Sequence, residues 1–288
     1  MKQSIQPEST NGMTPDGTCF AVYGKPTNSL PLVFIHGVGL NNLVWQSQVE
    51  EFSKQRQCIV YDILGHGKSQ LPTNNPCLDD YSEQLSKLIN FLDIRKANLV
   101  GHSMGALIGI NYSLEYPNCV ESLIALNTVY QRTEQQSDDV LNRAMQVQSN
   151  AINADNESAD DSDLELVLQR WFSKNTDPDS IKKIEKIRHW MTEASSLGYA
   201  RTYQLFATAD KVFSGKLARL SIPVLYMTGS FDRNSTPLMS KQMAAETPKG
   251  KAWIVEEEAH MMTYISPEKI NPIINSFLKG LTPGTGNE

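Results

Sequence analysis

Apolar residues fall into two rhythms along this chain. One is a set of short unbroken runs bounded by turn residues: Pro31 to Ile35, Cys58 to Tyr61, Asn98 to Val100, Leu123 to Leu126, Val224 to Met227 and Ala252 to Val255. A strand with one wet face alternates, so runs that are apolar throughout predict strands covered on both faces, as in a parallel sheet. The other rhythm has helical spacing. Leu78, Tyr81, Leu85, Leu88, Ile89 and Leu92 recur at steps of three and four and share one face of a helix. Strands and helices in succession predict a doubly wound α/β architecture, with the chemistry in loops at the carboxyl ends of the strands.

The rhythm breaks after Leu126. About ninety residues to Arg219 carry helical patterns without a convincing buried strand, and the sheet pattern resumes at Ile222. This predicts a core of residues 1–128 and 221–288 interrupted by a helical cap, or lid, at 129–220. The cap opens polar and acidic (Asp138, Asp139, Asp155, Glu157, Asp160, Asp161, Asp163), as a solvated helix face and a connection would be. It then turns aromatic and apolar, with Trp171, Phe172, Trp190, Tyr199, Tyr203 and Phe206, so these helices need something to pack on. The final LTPGTGNE reads as a frayed terminus.

Composition removes whole classes of partner. A net charge of -6 without a basic run offers nothing to a phosphate backbone, and no stretch reaches the roughly 20 apolar residues of a membrane helix. The opening MKQSIQPESTNGMTPDG lacks the apolar core of a secretory signal, so the expected address is the cytoplasm. The four cysteines lack both CxxC pairing and a spacing to histidine that would hold zinc, which predicts reduced thiols. No phosphate loop, dinucleotide fingerprint or metal cluster is present, so no cofactor is expected. The expected partners are a small substrate and water, with the chain a monomer or homodimer.

Gly101-His102-Ser103-Met104-Gly105 lies between the run ending at Val100 and the helix-forming Ala106 to Ile110. A G-x-S-x-G between strand and helix makes so sharp a turn that the serine is strained, its hydroxyl exposed above the sheet and its neighbours stripped of side chains. A serine hydroxyl is a weak nucleophile and needs a base, which needs an orienting acid. In this arrangement the chain order is serine, acid, histidine. Asp232 follows one strand-like run and His260 the next. Of the five histidines, only His260 follows that acid. His36, His66 and His102 sit in glycine-flanked loops or beside the serine, and His189 lies in the cap. Asp210 is a rival acid inside the cap, Glu256 to Glu258 are too near His260, and Asn127 cannot supply a negative charge. The loop His36-Gly37-Val38-Gly39 can turn a backbone N–H inward, so the amides of Val38 and Met104 are the candidate donors to an oxyanion. Gly37 and Trp45 are candidates for its surroundings, with Asn41, Asn42, Trp171, Trp190 and Tyr203 as further lining; packing accounts for most of the aromatics.

Together these motifs resemble the α/β-hydrolase superfamily. The match runs through H-G-V-G at 36–39, D-I-L-G-H-G-K-S at 62–69, the elbow at 101–105, Gly229 with Asp232, and His260, which is the whole chain except the insertion and tail. The resemblance implies a mostly parallel eight-stranded sheet flanked by helices, with a helical cap, and a structural rather than catalytic loop at 62–69. It sets aside haloalkane dehalogenases and most epoxide hydrolases, which carry aspartate where this chain has Ser103. Carbon-carbon bond hydrolases often show S-x-G-G at the elbow, from which Ser103-Met104-Gly105-Ala106 departs. The expected activity is hydrolysis of a small carboxylic ester or lactone by a serine hydrolase. The alternatives are an amide or carbon-carbon bond, or a ligand receptor on the same scaffold.

Overall fold

Each of the six apolar runs falls on a strand of a single sheet, the first entering its strand one residue late at Leu32, in the computed structural model, which describes residues 9–153, 161–172 and 177–280. These strands are β3 (Leu32–Ile35), β4 (Cys58–Tyr61), β5 (Ala97–His102), β6 (Val120–Leu126), β7 (Val224–Gly229) and β8 (Gly250–Val255). All pair in parallel, because each is followed by a helix that crosses back over a sheet face. Two strands have no counterpart among the runs: β1 (Ser9–Met13) and β2 (Cys19–Tyr23), an antiparallel pair added at the β4 edge. In β1, STNGM is polar and mostly exposed, as an edge strand tolerates, so its sequence carries no apolar signal. The resulting order is β1-β2-β4-β3-β5-β6-β7-β8, the mostly parallel eight-stranded sheet of the α/β-hydrolase fold.

Side chains that alternate along the central strands feed two cores. Val33, Ile35 and Leu99 pack on one face beneath α2 (Leu78–Phe91), α3 (Met104–Glu115) and α8 (Pro237–Glu246). Leu32, Phe34 and Val100 pack on the other against α1 (Gln46–Phe52) and α10 (Pro267–Leu278). Helix α2 spans nearly the predicted stretch and buries Leu78, Tyr81, Leu85, Leu88 and Ile89. Asp80 caps it by accepting from the Cys77 N–H at 2.8 Å, and Asp79 and Asp80 sit in the positive first turn.

Between β6 and β7 lie α4 (Glu134–Asn153), α5 (Asp161–Phe172), α6 (Pro178–Glu193) and α7 (Ser196–Thr208), with no strand among the described residues. They pack as two pairs, α4 on α7 and α5 on α6. Leu168, Phe172 and Ile187 extend one core, and Ala144, Tyr203 and Phe206 the other. A short helix, α9 (Met262–Ile265), braces α6 from the sheet side. Residues 154–160, with Asp155, Glu157 and Asp160 of the acidic stretch, and the tail at 281–288 lie outside the described residues; of Asp161 and Asp163 only the helical backbone is described.

Candidate active site

Strand β5 ends at His102 and α3 begins at Met104, so one residue must turn the chain from sheet to helix. Ser103 does this at φ 55° and ψ -115°, a strained conformation for an L residue that persists because its surroundings impose it. Its N–H donates to the Leu126 carbonyl at 2.8 Å, and its own carbonyl accepts from Ala106 N–H at 3.0 Å. A Cβ at position 105 would overlap the Ile35 carbonyl oxygen, which is the packing reason for the second glycine of the motif. The loop after β3 closes on the same spot. A Cβ at Gly37 would come within 3.1 Å of Ser103 Cβ, so the backbone of this loop lies directly against the serine.

Asp232 follows β7 and is almost wholly buried. Its Oδ1 accepts from the backbone N–H groups of Asn234 at 2.9 Å and Ser235 at 3.0 Å. Its Oδ2 accepts from Asn127 Nδ2 at 2.8 Å and lies 2.8 Å from His260 Nδ1. Burial alone pushes the carboxyl up, but His260 and these donors more than offset it and hold Asp232 below the usual carboxylate value. A carboxylate on Nδ1 fixes the imidazole so that Nε2 is the nitrogen left for proton exchange.

Asn127 terminates β6 and also sits at positive φ, 51°. Sequence alone excluded it as an acid because it has no charge to give; in the fold its amide donates to the acid instead. His102 Nε2 lies 2.9 Å from the His260 carbonyl, and the two rings are 4.9 Å apart. Burial and the neighbouring His260 push His102 down to about 3, so its Nε2–H donates to that carbonyl as a neutral ring.

His36 and His66 fix the loop facing the serine. Ile63 N–H donates to His36 Nε2 at 3.1 Å, and Gly39 N–H donates to His66 Nε2 at 3.0 Å. Both nitrogens must be unprotonated to accept, and burial pushes His36 down to about 4 and His66 to about 3. Asp62 ties the same loops together, accepting from Asn42 N–H at 2.8 Å and Lys68 N–H at 3.0 Å. In the loop held this way, Val38 N–H has no protein acceptor among the described residues, and neither has the N–H of Met104 at the start of α3.

Ser103, His260 and Val38 open into one cavity of about 1010 Å³ between the sheet edge and the helices α4 to α7. Trp171, Tyr199, Tyr203 and Phe206 line its helical side, and the Trp171 ring lies 5.7 Å from that of His260. The other candidates for lining are elsewhere. Trp45 is only 1% exposed and packs on Phe34 at 5.2 Å, in the core on one face of the sheet, because the short helical turn at 42–45 that leads into α1 directs its side chain inward. Trp190 packs on Tyr264, Asn42 holds Asp62, and Asn41 accepts from Leu43 N–H. Gly37 and the Met104 side chain lie behind the wall, while His189 is exposed beside Glu193. Asp210 faces Arg132 in a buried pair at 3.2 Å and so is committed away from His260. Among the described residues no group of histidine, cysteine and carboxylate side chains could hold a metal ion, and no helix is long and apolar enough to cross a membrane.

Comparison with known proteins bears on the family and the fold. The model of the alpha/beta hydrolase fold family matches residues 31–267. The (E)-2-((N-methylformamido)methylene)succinate hydrolase of Acinetobacter baylyi is 35% identical over 90% of this chain and 94% of its own. The 3-oxoadipate enol-lactonase 2 of the same organism is 28% identical over 90% and 92%. Among solved structures, the enol-lactonase from Burkholderia xenovorans superposes with a TM-score of 0.81 at 22% identity, covering 94% of this chain and all of that one.

Proposed function

The chain belongs to the α/β-hydrolase family, and from that premise we propose that it hydrolyses a small carboxylic ester or lactone through an acyl-enzyme formed on Ser103. The observation that carries this reading is the buried His260–Asp232 hydrogen bond at 2.8 Å, with His260 lining the same cavity as a strained Ser103. In the reaction, His260 Nε2 takes the proton of Ser103 Oγ as the oxygen attacks the acyl carbon. The oxyanion that forms takes hydrogen bonds from the N–H groups of Val38 and Met104. His260 returns the proton to the departing alkoxide or enolate, and the acyl group stays on Ser103. Water then enters, loses a proton to the same nitrogen and attacks the acyl carbon; the bond to Ser103 Oγ breaks, His260 gives that proton back to Oγ, and the acid leaves. Asp232 keeps its charge throughout and stabilises the imidazolium. The proposed site of action is the cytoplasm.

The test is a time course with a short-chain p-nitrophenyl ester together with a fluorophosphonate probe read by intact mass. The expected result is multiple turnover and a single adduct in the wild type, both abolished by Ser103→Ala. Turnover surviving in that variant would overturn the assignment. A second reading, hydrolysis of an amide by the same residues, is favoured by one specific finding: the 35%-identical relative is named for a formamido compound. Matched p-nitrophenyl ester and p-nitroanilide substrates separate the two.

A further inference from the structure

The lining of the cavity carries an unusual charge. Five arginines line it against two carboxylates, Asp139 and Glu165, in a chain whose net charge is -6. Arg188 is paired with Glu165 and Glu185, and Arg170 donates from Nε to the Leu166 carbonyl of its own helix at 3.2 Å, which leaves Arg132, Arg143 and Arg233 as the cations of interest. Arg132 is 5% exposed and is held on one side only. Its Nη1 donates to Asp210 Oδ1 at 3.2 Å and to the carbonyls of Phe206 at 3.3 Å and Ala207 at 3.1 Å, at the negative end of α7. Its guanidinium lies 4.8 Å from the centre of the Phe206 ring. Its Nη2 is buried and has no hydrogen-bond partner among the described residues.

A buried N–H without an acceptor is costly, more so on a charged group, so an orphan on a residue that lines the cavity marks a place where a ligand can supply the acceptor. The bonds to Nη1 fix the plane of the guanidinium beforehand, so little further entropy is lost when an anion docks. Arg143, whose Nη1 donates to the Tyr203 hydroxyl at 3.4 Å, and the exposed Arg233, next in sequence to Asp232, add positive charge to the same cavity. With Asp210 already opposite Arg132, these two supply the surplus that draws an anion in.

We propose that this cavity selects an acyl substrate bearing a second, free carboxylate, with Arg132 Nη2 as its anchor and Arg143 and Arg233 as the attracting charges. A carboxylate suits the site because its two oxygens match the planar donor edge of a guanidinium. The inference rests on the hydrolase reading above, and its test separates the two.

The experiment compares kcat/KM for p-nitrophenyl hydrogen glutarate with that for its neutral methyl ester, and measures glutarate binding by calorimetry. Wild type is expected to favour the charged ester by about 30-fold and to bind glutarate. Arg132→Lys keeps the charge opposite Asp210 but loses the planar edge, and should bring the ratio below about 3 and weaken glutarate binding at least tenfold. Arg233→Gln, on the exposed rim where folding is not at risk, should lower the ratio about threefold through KM alone. No preference in wild type, or a preference unchanged in both variants, overturns the proposal while leaving the hydrolase reading intact. If neither ester is hydrolysed, the hydrolase reading fails, and glutarate binding that is lost in Arg132→Lys still upholds the anion site; absence of that binding overturns it.

Discussion

The two walls of the cavity are built by different means. The sheet wall is made of strand ends: Ser103, Val38, Asp232 and His260 follow β5, β3, β7 and β8, and each is pinned by short-range backbone turns or by hydrogen bonds to buried groups. The helical wall has no such ladder. Its side chains are held by ring packing, such as Tyr199 on Tyr203 at 5.6 Å, and by one buried ion pair. Groups that must stay within a few tenths of an ångström for proton transfer thus come from the rigid wall, and groups that only need to fill space or supply charge come from the other. Altering the sheet wall should therefore strike the chemical step, and altering the helical wall should strike recognition.

The largest effect is expected from Asp232→Asn. The substituted amide keeps its oxygen for the N–H groups of Asn234 and Ser235 and puts its NH2 where Oδ2 accepted, so it meets the Asn127 amide with like polarity and no longer holds the His260 tautomer. Loss of kcat by about 10³- to 10⁴-fold with a small change in KM is expected from steady-state kinetics on an activated ester. A loss below tenfold would mean that Asp232 does not orient the base and that the division between walls is drawn in the wrong place.

A smaller effect, on stability rather than rate, follows from the three buried histidines of the sheet wall. In the unfolded chain each takes up a proton near pH 6.5; in the folded chain His36 does so only at about 4, and His66 and His102 at about 3. Below pH 6.5 the unfolded state thus binds protons that the folded state refuses, so stability is full above that value and falls as the pH drops. At pH 5 the loss is on the order of 1–2 kcal/mol for each histidine. Asp232, held below the usual carboxylate value, acts in the same direction at still lower pH. Urea midpoints at pH 7.5 and pH 5.0 should differ accordingly, and a midpoint that does not move would show that these rings are not held neutral.

The same division explains what could be read from the sequence. Strand ends are local: an apolar run, a glycine and then a chemical residue occur within a few positions, so Ser103, Asp232 and His260 stand out against the rival histidines and acids. The helical signal of α2 was visible because its buried face repeats every three to four residues. Contacts across the fold leave no such mark. Nothing near Arg132 points to Asp210, 78 positions away, and nothing near Asn127 points to Asp232, 105 positions away. Trp45 shows the converse. An aromatic close to the glycine-rich loop reads as pocket lining, but the turn at 42–45 packs it into the core on one face of the sheet, a matter of tertiary packing that composition does not specify.

Trp171 gives the sharpest test of the comparison because it belongs to the helical wall yet touches the sheet wall. Its ring lies 5.7 Å from that of His260, tilted by 30°, and it shares the cavity surface with Ser103. It makes no polar contact with the imidazole, whose Nδ1 is already engaged by Asp232. Trp171→Ala should therefore remove apolar contact from the substrate and widen the cavity while leaving the hydrogen bonds of the sheet wall in place. A rise in KM of about three- to tenfold with kcat changed less than threefold is expected, since the lost interaction is made equally in the ground and transition states. If kcat falls instead and KM stays constant, Trp171 restrains the His260 ring during proton transfer, and the helical wall takes part in the chemistry that the sheet wall was taken to perform alone.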